Sequence, residues 1–199
     1  MTWSLFAGLI VFSAVSAFTP GPNNLLALAS GVNHGYRKTL PFVLGVCLGF
    51  NVIFIFVGIG LGNLFQVFPL AYTVLKYASM AYLVFLAGKV ALSKGFGDGA
   101  NAAKPISFLG SATYQWINPK VWIATVTIVT SFTNPKAFWQ SISIAIAVNA
   151  FFAFSAVSTW AVFGSMVKSW LSNPLRLRLF NWSMATLLVL SIVPAFFHG

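Results

Sequence analysis

The chain has 199 residues, of which 59% are apolar and 6% charged, with a mean hydropathy of +0.90. A soluble domain is about a quarter charged, so this composition excludes one and indicates an all-α integral membrane protein. The formal charge of +10 does not indicate nucleic acid, because the 11 Lys and Arg residues are scattered between apolar segments without a basic stripe or arm.

A spanning helix needs about 20 mainly apolar residues. Six segments qualify, near 3–29, 39–62, 67–92, 107–130, 137–165 and 177–197. Segment one begins with an apolar run from Leu5 to Ala14, and Ala14-Val15-Ser16-Ala17 looks like a signal-cleavage site. Residues 1–4 carry no Lys or Arg, however, and a secretory signal normally does. The segment is therefore expected to be retained. It is interrupted by Thr19-Pro20-Gly21-Pro22-Asn23-Asn24. Proline removes a backbone N–H and frees the carbonyl a turn earlier. In hydrocarbon, such groups must find partners inside the protein or line a polar cavity.

Segment two holds Gly45-x-x-x-Gly49, which allows close helix approach. That packing could lie within the monomer or across a homodimer. Cys47, the one cysteine, excludes an intrachain disulfide and reads as a small packing residue. Segment three contains Lys76, near an outer interface. The longest polar connection, with Lys94, Asp98 and Lys104, sits at mid-sequence. It divides the chain into a first repeat of about 1–94, a linker of 95–106 and a second repeat of about 107–199. Three spans per half is an odd number, so the repeats must be inverted.

Segment four is broken in its turn, at Asn118-Pro119-Lys120. Pro22 and Pro119 are 97 positions apart, so each half carries one break at a similar place. Paired breaks in corresponding halves point to a midplane binding site in a transporter built from two repeats. Lys120 lies deep in its span, where an ionisable group is costly and usually functional; the alternative is that it snorkels to an interface. Its one conceivable acidic partner in the chain, Asp98, is in the linker. Gln115 precedes Pro119 by about one turn. Segment five carries Asn149, 98 positions after Asn51 in segment two. These two asparagines either line the cavity or bridge helices.

Lys and Arg positions set orientation. One side collects Arg37, Lys38, Lys89, Lys94, Lys104, Lys168, Arg176 and Arg178, and the other Lys76 and Lys136. The basic side is expected to be cytoplasmic and both termini outside, unless segment one is re-entrant. Trp3, Trp139, Trp170 and Trp182 are expected at span ends. No metal, haem, phosphate-loop or dinucleotide motif occurs, so no cofactor is expected. An intramembrane enzyme would need a nucleophile–base pair or metal ligands. The two histidines, His34 and His198, lie outside the spans, His34 in the first cytoplasmic loop.

Thr-Pro-Gly-Pro-Asn-Asn-Leu-Leu at 19–26, His34-Gly35-Tyr36-Arg37, and Gly45-x-x-x-Gly49-Phe50 resemble the opening of the lysine-exporter (LysE/RhtB) family of amino-acid exporters. Asn118-Pro119-Lys120, following Lys-Pro-Ile-Ser-Phe at 104–108, resembles that family's second-half signature, and the pattern is most similar to the cysteine/O-acetylserine branch. The resemblance covers nearly the whole chain. It implies efflux of amino acids from the bacterial cytoplasm across the inner membrane, coupled to protons as an antiport.

An amino-acid zwitterion brings a carboxylate and an ammonium, and burying either unpaired is costly. A broken helix offers partners for both. The restarted N-terminus presents N–H groups to the carboxylate, and the carbonyls freed before it accept from the ammonium. The candidate binding residues are Thr19, Pro20, Gly21, Pro22, Asn23, Asn24, Asn51, Gln115, Asn118, Pro119, Lys120 and Asn149. Lys120 is also the candidate for proton coupling. With no carboxylate inside the spans to meet a cationic side chain, small neutral amino acids are expected as substrates. The alternative reading is a passive pore for small polar solutes.

Overall fold

The computed structural model describes residues 2–60, 69–93 and 105–190. Lys94, Asp98, Lys104 and His198, and with them most of the linker, lie outside these residues, as does the side chain of Lys76. Among the described residues there are eight α-helices and no strand.

The two breaks fall at the expected prolines. Helix α1 (Trp3–Phe18) ends before the first motif, and α2 (Pro22–His34) starts at its second proline. Together they form an apolar pair bent by 50°. Proline fits the first turn of a helix because its missing N–H would be unpaired there anyway, so the residue that ends one helix also starts the next. The second break works in the same way. Helix α5 (Phe108–Ile117) stops at Asn118, and α6 (Pro119–Phe132) starts at the proline.

Helices α3 (Tyr36–Gly58) and α7 (Phe138–Val167) are long and apolar enough to cross a membrane singly. At 1.5 Å per residue they reach about 35 and 45 Å. Segments three and six correspond to α4 (Pro69–Ala91) and α8 (Pro174–Leu190), and the rest of segment six lies outside the described residues. A single residue, Gly35, joins α2 to α3 with φ +81°. That left-handed backbone favours glycine. The loop expected there is absent: His34 closes α2, and Arg37 and Lys38 lie exposed in the first turn of α3.

Packing exchanges partners between the halves. The broken pair α1 and α2 packs on α7, and the broken pair α5 and α6 packs on α3. Helices α4 and α8 pair with each other. Small residues permit the closest approaches. A Cβ on Gly31 of α2 would strike the Ala161 carbonyl of α7, and one on Gly164 the Leu28 carbonyl. Gly45 and Gly49 of α3 abut the Phe108 and Ala112 carbonyls of α5 in the same way. The Gly45-x-x-x-Gly49 pair therefore serves packing within this chain.

The apolar core is divided. One cluster joins α2, α3, α4, α7 and α8 around Leu26, Phe42, Leu86 and Ala161. A second joins α1, α3, α6 and α7 around Leu9, Phe54 and Ile128, and a third holds Ile53, Val57, Val121 and Trp122. Large apolar side chains also cover the outside, among them Val11, Leu48, Ile55, Ile123, Phe151, Phe163 and Leu179. Apolar surface this extensive belongs in lipid. Trp3, Trp139 and Trp170 lie at helix ends, whereas Trp182 lies well inside α8.

A buried polar knot closes one end. Asn33 and Asn181 exchange amide hydrogen bonds of 3.0 and 3.3 Å, Ser93 Oγ donates to Asn33 Oδ1 at 3.0 Å, and Asn181 Nδ2 donates to the Ser93 carbonyl at 2.9 Å. This ties the ends of α2 and α4 to α8, near Arg37, Lys38, Lys89, Arg176 and Arg178.

Because backbone rather than a flexible side chain faces Gly31, Gly31→Val is expected to destabilise the protein by at least about 1–3 kcal/mol. A lowered unfolding temperature in detergent is the readout, and an unchanged one would contradict the packing described.

Candidate functional site

At the first break, α1 ends with two carbonyls that its own helix does not use. Asn24 Nδ2 donates to both, to Ala17 O at 2.7 Å and to Thr19 O at 3.1 Å. Asn24 is buried, so its amide staples the two half-helices across the gap. Thr19 Oγ1 and N both donate to the Val15 carbonyl. Helix α2 starts from Gly21 in extended backbone, with Pro22 in its first turn and no side chain capping its N–H groups.

The second break is satisfied mostly by its own neighbours. Asn118 N donates to Gln115 O at 3.1 Å, and Asn118 Oδ1 accepts from Lys120 N at 3.1 Å. The Trp122 indole donates to Trp116 O at 2.8 Å, so a residue of α6 covers a carbonyl freed from α5. Asn118 is the N-cap that a helix of this kind prefers.

The two breaks meet. Asn23 and Gln115, 92 positions apart, exchange amide hydrogen bonds of 2.8 and 3.2 Å. Lys120 Nζ donates to the Thr19 carbonyl at 3.0 Å, across 101 positions. That carbonyl terminates α1, where the helix dipole is negative and a cation is favoured. No Asp or Glu occurs among the described residues.

Between the breaks lies a cavity of about 50 Å³, lined by Gly21, Pro22, Asn23 and Asn24 on one side and Asn118 and Lys120 on the other. By the ~10–15 Å³ that one water needs, it has room for a few waters or a small polar group. Ser16 and Ala17 of α1 border it, with Val46 and Phe50 of α3, Val121 and Ala124 of α6, and Asn149, Ala153 and Val157 of α7. It lies where the three apolar clusters adjoin, since Val46 and Val157 belong to the first, Phe50 packs on the second and third, and Val121 belongs to the third.

Asn149 supplies an unused donor. It is 4% exposed, and its Nδ2 has no hydrogen-bond partner. A buried amide without a partner costs roughly 1–3 kcal/mol, and this one lines the cavity. Asn51, its counterpart by spacing, does not line the cavity. Its Nδ2 donates to Cys47 O of its own helix at 2.8 Å. Gln115 is fully buried, bonded to Asn23, and does not line this cavity. Thr19, Pro20 and Pro119 are also outside the lining, and Thr19 takes part through its carbonyl.

The apolar lining was absent from the candidates read in the sequence. A signal for it existed: Asn149, Ala153 and Val157 recur every fourth residue, as do Val46 and Phe50, which puts each set on one helix face. That spacing is equally common in plain core. A second cavity of about 800 Å³, between α2, α4 and the start of α5, shares no lining residue with the first and holds neither break.

The family model described as LysE type translocator matches residues 14–196. The cysteine/O-acetylserine efflux proteins of Escherichia coli (strain K12) and Shigella sonnei (strain Ss046) are each 35% identical over 170 residues, covering 83% of this chain and 85% of the relative. The protein of the same description from Escherichia coli O1:K1 / APEC is 34% identical over the same length. No solved structure matches.

If the Asn23–Gln115 pair locks the breaks together, the single and double leucine substitutions will not be additive. A double-mutant cycle on unfolding in detergent is expected to give a coupling of about 0.6–1.7 kcal/mol. Additive losses would mean that the two amides are held by their own helices.

Proposed function

The chain belongs to the LysE type translocator family, and from that premise we propose that it is a secondary exporter of small neutral amino acids or their derivatives, of the cysteine/O-acetylserine kind. One observation carries this reading. Two broken helices from opposite halves meet at one small cavity and leave unlike polar groups around it. The uncapped start of α2 offers N–H groups to a carboxylate, and the end of α1 offers carbonyls to an ammonium. Asn149 Nδ2 adds a donor from the facing wall. Lys120 engages the carboxylate when substrate is bound, and it is the group that exchanges the coupling proton.

The wall supports the choice of substrate. Beside the polar groups the lining includes Val46, Phe50, Ala124, Ala153 and Val157, which suit a short side chain. A lysine or arginine side chain would enter this cavity without a carboxylate to meet it, and an unpaired buried charge is prohibitive.

The fold reading follows from the same premise. Six crossings form two inverted repeats, with crossings one and four broken near the midplane. The exchange of partners supports this, since each broken pair packs on the second crossing of the other half. On this reading transport proceeds by rocking of the two halves about the site, where Asn23–Gln115 and Lys120–Thr19 are the polar contacts between them. The basic end, with Arg37, Lys38, Lys89, Lys168, Arg176 and Arg178, faces the cytoplasm of the inner membrane, and both termini face outward. Homodimers are compatible with this arrangement, though Gly45 and Gly49 are taken up inside the chain.

The test is efflux of radiolabelled cysteine and O-acetylserine from preloaded cells, with and without a protonophore. Saturable efflux that accelerates against external substrate and collapses with the protonophore is expected. Efflux that never saturates and shows no counterflow indicates a pore instead. Lys120→Ala is expected to abolish net efflux while the protein still inserts, read by membrane fractionation. Pro22→Ala should lower transport more than it lowers the amount of inserted protein; a parallel loss would reduce the proline to a packing role.

A further inference from the structure

Gly21 needs an explanation that its backbone does not supply. Its φ of −168° and ψ of 177° are extended values open to any residue. Space is the reason instead. A Cβ at position 21 would lie 2.9 Å from Lys120 Nζ, 3.3 Å from its Cδ and 3.6 Å from its Cε. The lysine stem crosses the bare Cα of the first break, and its amine lands on the Thr19 carbonyl at 3.0 Å. A side chain of the second half thus occupies the gap in the helix of the first.

That seat has a second claimant. A substrate ammonium needs acceptors, and the described residues hold no carboxylate. The carbonyls that end α1 are the acceptors at the break, and Asn24 already takes part of their capacity. Two ammonium groups on the same carbonyl would repel each other. Lys120 and the substrate therefore use the seat in turn.

We propose that Lys120 is a tethered stand-in for the substrate's ammonium, and that Gly21 is the slot that lets it sit. In the empty carrier the lysine amine caps α1 and holds the two halves together across the cavity. An arriving substrate takes the Thr19 carbonyl with its own ammonium and releases the lysine toward its carboxylate. When the substrate leaves, the lysine returns. The empty carrier is then cross-linked by the lysine where the loaded one is bridged through the substrate, which allows it to swing back unloaded. This rests on the exporter reading and adds the step that returns the carrier.

The step separates two transport modes. Net efflux needs the empty carrier to return, whereas exchange of substrate for substrate does not. Gly21→Ala places a methyl group against the far end of a flexible side chain, so the amine moves and the backbone need not. In proteoliposomes with radiolabelled O-acetylserine, Gly21→Ala is expected to lower net efflux severalfold more than exchange. Equal falls in both would overturn the proposal. A second measurement is independent of transport: labelling of Lys120 by a membrane-permeant amine reagent, read by mass spectrometry with Lys89 as the internal reference. Labelling of Lys120 should be slow in the native chain and several times faster in Gly21→Ala. Equal rates would mean that the amine is not seated at all. If the native protein moves no O-acetylserine, the exporter reading fails for that substrate, and the labelling ratio still decides whether the seat exists.

Discussion

An interrupted helix in an apolar medium leaves backbone groups that neither water nor lipid can satisfy. Most of this structure follows from how those groups are covered. At the second break the chain covers them locally, with Asn118 and the Trp122 indole. At the first break it does so only in part. Asn24 reaches back to Ala17 and Thr19, and the remaining partner, Lys120, comes from the other half. The first break is thus held in part by a contact from a distant helix, and the second by contacts from its own neighbours.

Helix packing brings the breaks to one place. Broken α1 and α2 lie on α7, and broken α5 and α6 lie on α3. Carbonyls packed directly against glycine at Gly31, Gly45, Gly49 and Gly164 need backbones in near contact, which any larger residue would prevent. Dispersion at such close crossings replaces the hydrophobic drive that lipid does not provide. The same geometry divides the apolar core and leaves a small cavity between its parts, apolar over most of its wall and polar at the breaks.

Among the described residues Lys120 meets no acidic partner, an unusual setting for a cation in a membrane protein. Its charge is met by a helix-end carbonyl, a partial charge worth far less than a carboxylate. A full salt bridge would be hard to break on every cycle, and a lone lysine would be too costly to keep charged. A carbonyl seat lies between these limits. In the proposed cycle it fixes the amine when the site is empty and gives it up when a zwitterion arrives.

Sequence alone determined the membrane class, the two breaks and their prolines, because these depend on local properties: apolar run length, proline's missing N–H and glycine's missing side chain. It also singled out Lys120 and Asn149, since polar groups stand out in an apolar stretch. It could not separate Asn149 from Asn51, which look alike by spacing, because one turns back on its own helix and the other faces the cavity. Nor could it find the reciprocal bonds between Asn23 and Gln115, the apolar walls from Val46 to Val157, or the polar knot of Asn33, Ser93 and Asn181. It also placed Gly21 among the candidate binding residues, where the fold lays the stem of Lys120 across it. Those facts were decided by the tertiary structure, because each depends on which helix of one half lies against which helix of the other, and no local property of the chain encodes that choice.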